Sequence, residues 1–308
     1  MRLVRVLLST YNGARFLPAQ LDSLLAQDYP RIAIFIRDDG SSDETRALLQ
    51  EYANRNSSIT LIFGENIGVV PSYLELLRLG GGTEDFYAFC DQDDVWETDK
   101  ISTAVARLSG QADPESSLYC GRVKYVDEDL HDIGLSGIPR YVGWRNAVVE
   151  NIVTGCTVVM GDKLRRLMLK TDGTGVLMHD WWAYLVGSAF GAIVYDPEAK
   201  ILYRQHGDNV SQPDISRMKR ILRVAGEFWQ RYKETQTGFI SLQQAHAFTG
   251  VYGPMMNAED KRIVDRLWSL RKGAGLLQRF RYALMPEVYR NHRLDNLVLR
   301  IMVILGQH

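Results

Sequence analysis

Short apolar runs alternate with amphipathic stretches through the first hundred residues. Leu3–Ser9 reads as a strand, and the polar turn Thr10-Tyr11-Asn12-Gly13 follows it. Phe16–Gln27 reads as a helix with Leu17, Leu21, Leu24 and Leu25 on one face. Ala33–Arg37 is a second strand, ending in Asp38-Asp39-Gly40-Ser41-Ser42-Asp43 ahead of a helix over Glu44–Ala53, with Ser42 or Asp43 as its cap. Ile59–Phe63 and Phe86–Cys90 are further strands; Pro71–Leu79 and Thr98–Leu108 are further helices. This rhythm predicts an α/β fold, a mostly parallel sheet with helices on both faces. Such sheets bind ligands beyond the carboxyl ends of their strands. The polar clusters at 9–13, 38–43 and 91–94 all fall there. Residues 115–213 are less regular, and beyond 214 the texture is helical, most clearly over Arg217–Lys233. We expect two parts: 1–213, carrying the site, and a helical region, 214–308.

The apolar run Phe86–Cys90 stops against Asp91-Gln92-Asp93-Asp94-Val95-Trp96. Three carboxylates at the end of a buried strand repel one another, and a divalent cation carrying phosphate is the usual neutraliser. In an extended chain Asp91 and Asp93 face one side while Asp94 turns away. The structural alternative is a strand end with Asp94 capping the next helix.

Composition changes this picture little. Of 308 residues, 46% are hydrophobic and 24% charged, ordinary values for a soluble domain. The net charge of −1 is unevenly spread: 214–308 carries 16 Lys+Arg against 8 Asp+Glu, leaving −9 on 1–213. A basic, partly amphipathic region suits an anionic membrane surface, a homo-oligomer contact, or simple solvation. An acidic site domain argues against nucleic acid. Cys90, Cys120 and Cys156 match neither a metal-ligand spacing nor a disulfide framework, which favours a reducing compartment. No apolar stretch reaches spanning length, so the expected location is cytoplasmic, or peripheral on the inner face of the membrane.

The ordered set Ser9-Thr10-Tyr11-Asn12-Gly13, Asp38-Asp39-Gly40-Ser41-Ser42-Asp43, Asn66-Ile67-Gly68, Asp91-Gln92-Asp93-Asp94-Val95-Trp96, Thr154-Gly155, His179-Asp180-Trp181 and Tyr203-Arg204-Gln205-His206 resembles the inverting family-2 glycosyltransferases of GT-A fold, especially rhamnosyltransferase-like members. The resemblance implies a metal-dependent enzyme, using Mg²⁺ or Mn²⁺, that moves a sugar from a dTDP- or UDP-linked donor to a saccharide or lipid-linked saccharide acceptor in cell-surface polysaccharide synthesis. L-rhamnose from dTDP-L-rhamnose is the implied donor. It further implies that Asp39 receives the base, with Ser9 or Thr10 and Tyr11 beside it. Asp93 is the implied metal ligand, Asp91 meets ribose or metal, and His206 completes the metal shell.

Asp180 is the candidate base, since inversion needs one opposite the leaving group. The family usually has an acid just before this Asp, where this chain has His179. Trp181 and Trp182 offer indole faces to sugars or belong to the core. Gly155 lets backbone approach donor or acceptor, and Arg204 offsets phosphate charge. Lys100 either reaches the diphosphate or is a solvated helix lysine. Asp43 reads as turn and cap. A sugar nucleotidyltransferase would need an early glycine- and basic-rich loop, but Ser9–Arg15 has one Gly and one Arg. A non-catalytic nucleotide-sugar-binding scaffold is the remaining alternative.

Overall fold

A computed structural model describes residues 1–81, 86–206, 240–271 and 274–306. The expected helix over 217–233 lies outside the described residues. The chain packs as two units. The first takes Met1–Ile138, Val153–Gly173 and the chain from Met178 through the last strand; the second takes Pro139–Ile152, Thr174–Leu177 and the C-terminal helices.

The first unit is built on one mixed sheet. Its strands are β1 (Val4–Thr10), β2 (Ile32–Asp38), β3 (Ile59–Phe63), β4 (Phe86–Cys90), β5 (Val95–Trp96), β6 (Ser117–Val126), β7 (Asp132–Leu135), β8 (Val159–Gly161) and β9 (Ala192–Arg204). They lie in the order β3-β2-β1-β4-β8-β6-β9-β5, with β7 against β6. The parallel pairs β2–β3, β1–β2 and β1–β4 form the half that alternation predicts. Beyond them β8 runs antiparallel to both β4 and β6, which is why the middle of the sequence lacks a βα rhythm.

Period-two burial explains how β1 is sandwiched. Val4, Val6 and Leu8 join a core with Leu17, Leu21 and Leu24 of α1 (Leu17–Leu25) and Ile101, Ala104 and Leu108 of α4 (Lys100–Ser109). Leu7 turns to the other face, where α3 (Val69–Leu79) lies; a Cβ on Gly80, which follows α3, would sit 2.9 Å from Leu7 Cδ2. Each such wholly buried leucine contributes about 1.5–3 kcal/mol. Helices α2 (Thr45–Arg55), α6 (Asp162–Met168) and α7 (His179–Phe190) complete this unit. Strand order reverses between β1 and β4, and that switch point sets the crevice.

The second unit is helical: α5 (Trp144–Ala147), α8 (Ile240–Tyr252), α9 (Ala258–Ser269), α10 (Leu276–Leu284) and α11 (Arg293–Leu305). Trp144 Nε1 donates to Asp260 O at 3.1 Å, and the His246 and Trp268 rings stack at 3.9 Å. Glu150 Oε2 accepts from the backbone N–H of Asn291 at 2.7 Å, so 139–152 belongs with these helices. Among the described residues, no helix is long and apolar enough to cross a membrane.

The turn from α7 into β9 depends on Gly191. A Cβ there would lie 1.6 Å from the Ser116 carbonyl oxygen, a backbone atom that cannot swing aside. Gly191→Ala is expected to destabilise the fold by about 1–3 kcal/mol, read as a lowered midpoint in urea unfolding.

Candidate active site

The ends of β1, β2 and β4 are neighbours, with Thr10 in register with Asp38 and Leu8 with Cys90. Hydrogen bonds knit the loops beyond them. The Gln92 carbonyl oxygen accepts from Thr10 Oγ1 at 2.6 Å and Tyr11 N at 2.9 Å, while its amide donates to Tyr11 O at 3.2 Å. Asn12, in the left-handed region at φ 48°, accepts from Ser42 N at 2.9 Å and donates its own N–H to Ser41 Oγ at 2.9 Å. Asp43 accepts from Thr45 N at 3.0 Å, the expected turn role, but the N-cap position of α2 falls on Glu44 and not on Ser42 or Asp43.

Asp39 is buried. Its carboxylate accepts from the Arg37 guanidinium and from the N–H groups of Ile67 and Gly68, both at 2.9 Å. Gly40 (φ +84°) leaves room for this loop, since a Cβ would meet Asn66 N at 2.8 Å. The motifs at 38–43 and 66–68 are therefore one structure. Three of a carboxylate's roughly four acceptor positions are used, leaving one. Ser9 Oγ lies 2.7 Å from Ser72 Oγ, and Tyr11 is 47% exposed.

The acids gather at the end of β4. His206 Nε2 lies 2.7 Å from Asp93 Oδ2 across 113 residues of sequence. The His206 ring also packs on Phe16 at 5.0 Å. Asp91 Oδ1 accepts from Tyr73 Oη at 2.9 Å, and the same hydroxyl approaches Cys90 O at 2.8 Å. Burial, then the charge of Asp93, push the Asp91 carboxyl up to about 7. Asp180 also raises it, so the candidate base lies within electrostatic reach of this cluster.

Asp94 is turned inward, not capping a helix. It accepts from Arg204 N at 3.2 Å, and the Cys156 thiol bonds to it. Burial and the charges of Asp93 and Asp91 hold it well above the usual carboxylate range. Asp91, Asp94 and Cys156 bring ligating atoms within 4.8 Å of one another, a possible cation site. One feature weighs against a metal among those three. The amino group of Lys100, 1% exposed, already interacts with all three groups and lies 3.1 Å from the Trp96 ring centroid. Burial lowers Lys100 to about 7. Lys100 is thus neither a solvated helix lysine nor a group directed at a ligand in the crevice. It is a buried amine beside the acids and the Trp96 ring.

Arg204 also departs from expectation. Its Nε donates to Asp93 O at 2.8 Å, its Nη1 donates to Glu128 O, and the guanidinium lies 4.7 Å over Phe16. It holds the acid turn in place from beneath. Trp182 is wholly buried and cannot present an indole face to a sugar; Trp181 is half-buried. Gly155 serves a neighbouring side chain, since a Cβ there would meet His179 Nε2 at 3.1 Å and Asp180 Cβ at 3.6 Å. The His179 imidazole stacks on Tyr73 at 3.8 Å, with Phe89 edge-on at 4.9 Å, and burial lowers its pKa to about 3. Asp180 accepts from Trp181 N at 2.6 Å in the first turn of α7. Sequence reasoning missed Tyr73, Gln92 and Phe16. Each is an ordinary core or polar residue in pattern, and only the fold shows what it touches.

The glycosyl transferase family 2 profile matches residues 5–186, and the chain belongs to that family. It is 27% identical over 329 aligned positions to the dTDP-rhamnosyl transferase RfbG of Shigella flexneri, covering 97% of this chain and 99% of that one. S. aureus TarS 1–349, solved with UDP-GlcNAc, superposes with a TM-score of 0.53 at 16% identity over 99% of this chain and 82% of its own. The mannosyltransferase PcManGT of Pyrobaculum calidifontis, solved with GDP-Man and Mn²⁺, superposes at 0.50 with 20% identity, over 100% and 86% of the two chains.

Asp91 gives a pH prediction. Its folded pKa, about 7, lies above its ordinary 3.8, so its contribution to stability is complete below about 4 and is lost as pH rises through 7. Metal-free protein is expected to lose thermal stability over that window. Mn²⁺ at pH 7.5 is expected to restore several degrees, measured by calorimetry. An Asp91→Asn variant should show a flatter pH profile and a smaller response to Mn²⁺.

Proposed function

We propose that this glycosyltransferase is a metal-dependent inverting enzyme that moves L-rhamnose from dTDP-L-rhamnose to a saccharide or lipid-linked saccharide in cell-surface polysaccharide synthesis. One observation carries the metal reading: Asp93 and His206, 113 residues apart, meet at 2.7 Å on the crevice rim. Asp93 and His206 would hold the ion, with Asp91 beside them. Oxygen and imidazole donors suit Mg²⁺ or Mn²⁺. When bound, the ion supplies Lewis-acid stabilisation of the leaving diphosphate.

The chain's own residues supply the rest of the chemistry. Asp39, with its spare acceptor position, takes the N3–H of a pyrimidine, and exposed Tyr11 packs on the ring. Gln92 fixes Thr10 and Tyr11 relative to the acids. Asp180 accepts the proton of the acceptor hydroxyl as that oxygen attacks the anomeric carbon and the bond to the diphosphate breaks. His179, uncharged at neutral pH, leaves Asp180 as the sole carboxylate of the His179-Asp180-Trp181 motif. The rhamnosyl reading is supported by the end-to-end match to a relative named as a dTDP-rhamnosyl transferase.

The test is transfer from dTDP-L-rhamnose, with UDP-glucose as the competing donor, by wild type and Asp180→Asn. Transfer by the variant is expected to fall by about 10²–10⁴-fold while dTDP affinity, measured by calorimetry, is unchanged. Full transfer by Asp180→Asn would remove it as the base. His206→Ala and Asp93→Asn are expected to weaken Mn²⁺ binding by at least about tenfold.

A further inference from the structure

The exposed side chains of the second unit show a consistent pattern on α10 and α11. On α10, Tyr282 and Ala283 turn inward, while Leu276 (66% exposed), Leu277 (70%), Phe280 and Leu284 turn outward, followed by Met285 at 83%. On α11, Asp295, Leu299, Met302 and Val303 are buried. Leu294, Leu297, Ile301 and Leu305 recur at three- and four-residue steps on the opposite, exposed face. Both helices are therefore apolar on two sides. One side packs inside the unit, and the other faces outward with large side chains. Isolated exposed leucines are ordinary, but eight large apolar residues on two adjoining helices, with Met285 beside them, are not.

The charges follow the same division. Arg281, Arg293 and Arg300 are exposed. On α11, Arg293 and Arg300 are seven residues apart and so lie together along one edge of the apolar stripe. The two acids of the described segment 274–306 are withdrawn: Asp295 is buried, and Glu287 is held by Arg262 at 2.7 Å and Arg266 at 3.1 Å. No acid among these residues is exposed.

We propose that the α10–α11 face is a docking surface for an anionic lipid bilayer. Leu277, Phe280, Leu297 and Ile301 would enter the headgroup–acyl boundary, with Arg281, Arg293 and Arg300 among the phosphates. An outward apolar stripe edged by arginines is the pattern of a helix lying in a membrane interface. A second copy of the chain is the less favoured occupant. Joining this face to itself would set arginine against arginine with no exposed carboxylate between them. The inference extends the lipid-linked acceptor reading, and its test requires no sugar transfer.

The experiment is flotation of the full chain with vesicles of phosphatidylcholine alone or with about a third phosphatidylglycerol. Wild type is expected to float with the anionic vesicles and to stay down with the neutral ones. Raised salt is expected to release it. Leu277→Gln/Phe280→Gln/Leu297→Gln/Ile301→Gln and, separately, Arg281→Gln/Arg293→Gln/Arg300→Gln are each expected to lower partitioning at least about tenfold. Since these side chains are exposed, the variants should keep the wild-type melting temperature and donor hydrolysis rate, which separates loss of adhesion from loss of the transferase reading. Failure of wild type to float, or flotation of both variants like wild type, would overturn the proposal. So would self-association of wild type, measured by light scattering, that the apolar variant abolishes while flotation is unaffected.

Discussion

Three carboxylates crowd the end of one buried strand, and the rest of the site is arranged around their repulsion. Asp94 turns under Asp91 and Asp93, and the crowding shows in the raised carboxyls of Asp91 and Asp94, which favour either proton uptake or a nearby cation. The structure supplies basic groups from within. Lys100 lies beneath the acids at the start of α4, and the Arg204 backbone and guanidinium hold the chain at Asp93 and Asp94. Neither group competes for the crevice side of Asp93. The fold thus places basic side chains against the inner half of the cluster, while the outer half pairs Asp93 with His206.

This division explains why sheet order matters to the chemistry. The parallel half brings three loops to one rim, and Gln92 ties the first of them to the acid turn. Beyond β8, strand β9 runs parallel to β6, so that Arg204 and His206 arrive beside residues more than a hundred positions earlier. A local motif could not make the Asp93–His206 pair. It requires the whole sheet to close in register.

Much of the frame was legible because its signals are local. The strand ends, the turn residues of 9–13 and 38–43 and the acids of 91–94 are read from spacing and residue type. The order of the motifs identified the family before any contact was known. What the sequence hid was direction. Lys100, Arg204 and Trp182 all turn inward, and polarity alone does not tell a buried polar group from an exposed one. Tyr73 was invisible for a similar reason: a tyrosine on the apolar face of a helix reads as packing, and only the fold shows its hydroxyl at Asp91. Gly155 was noticed for the right property, a missing side chain, and the fold puts His179 and Asp180 in the space it leaves.

The stack of His179 on Tyr73 makes residues 73, 155 and 179 a matched set. The Tyr73 ring fixes the imidazole, its hydroxyl fixes Asp91, and the bare backbone of Gly155 leaves space for the same imidazole. Substitutions at these positions should therefore be non-additive. A side chain at 155 that is harmful beside histidine could be tolerated beside a smaller residue at 179, and a relative carrying an acid at that position would need a different partner at 73. Evolutionary change of the residue before the candidate base would then proceed by compensated steps, with the three positions exchanging together.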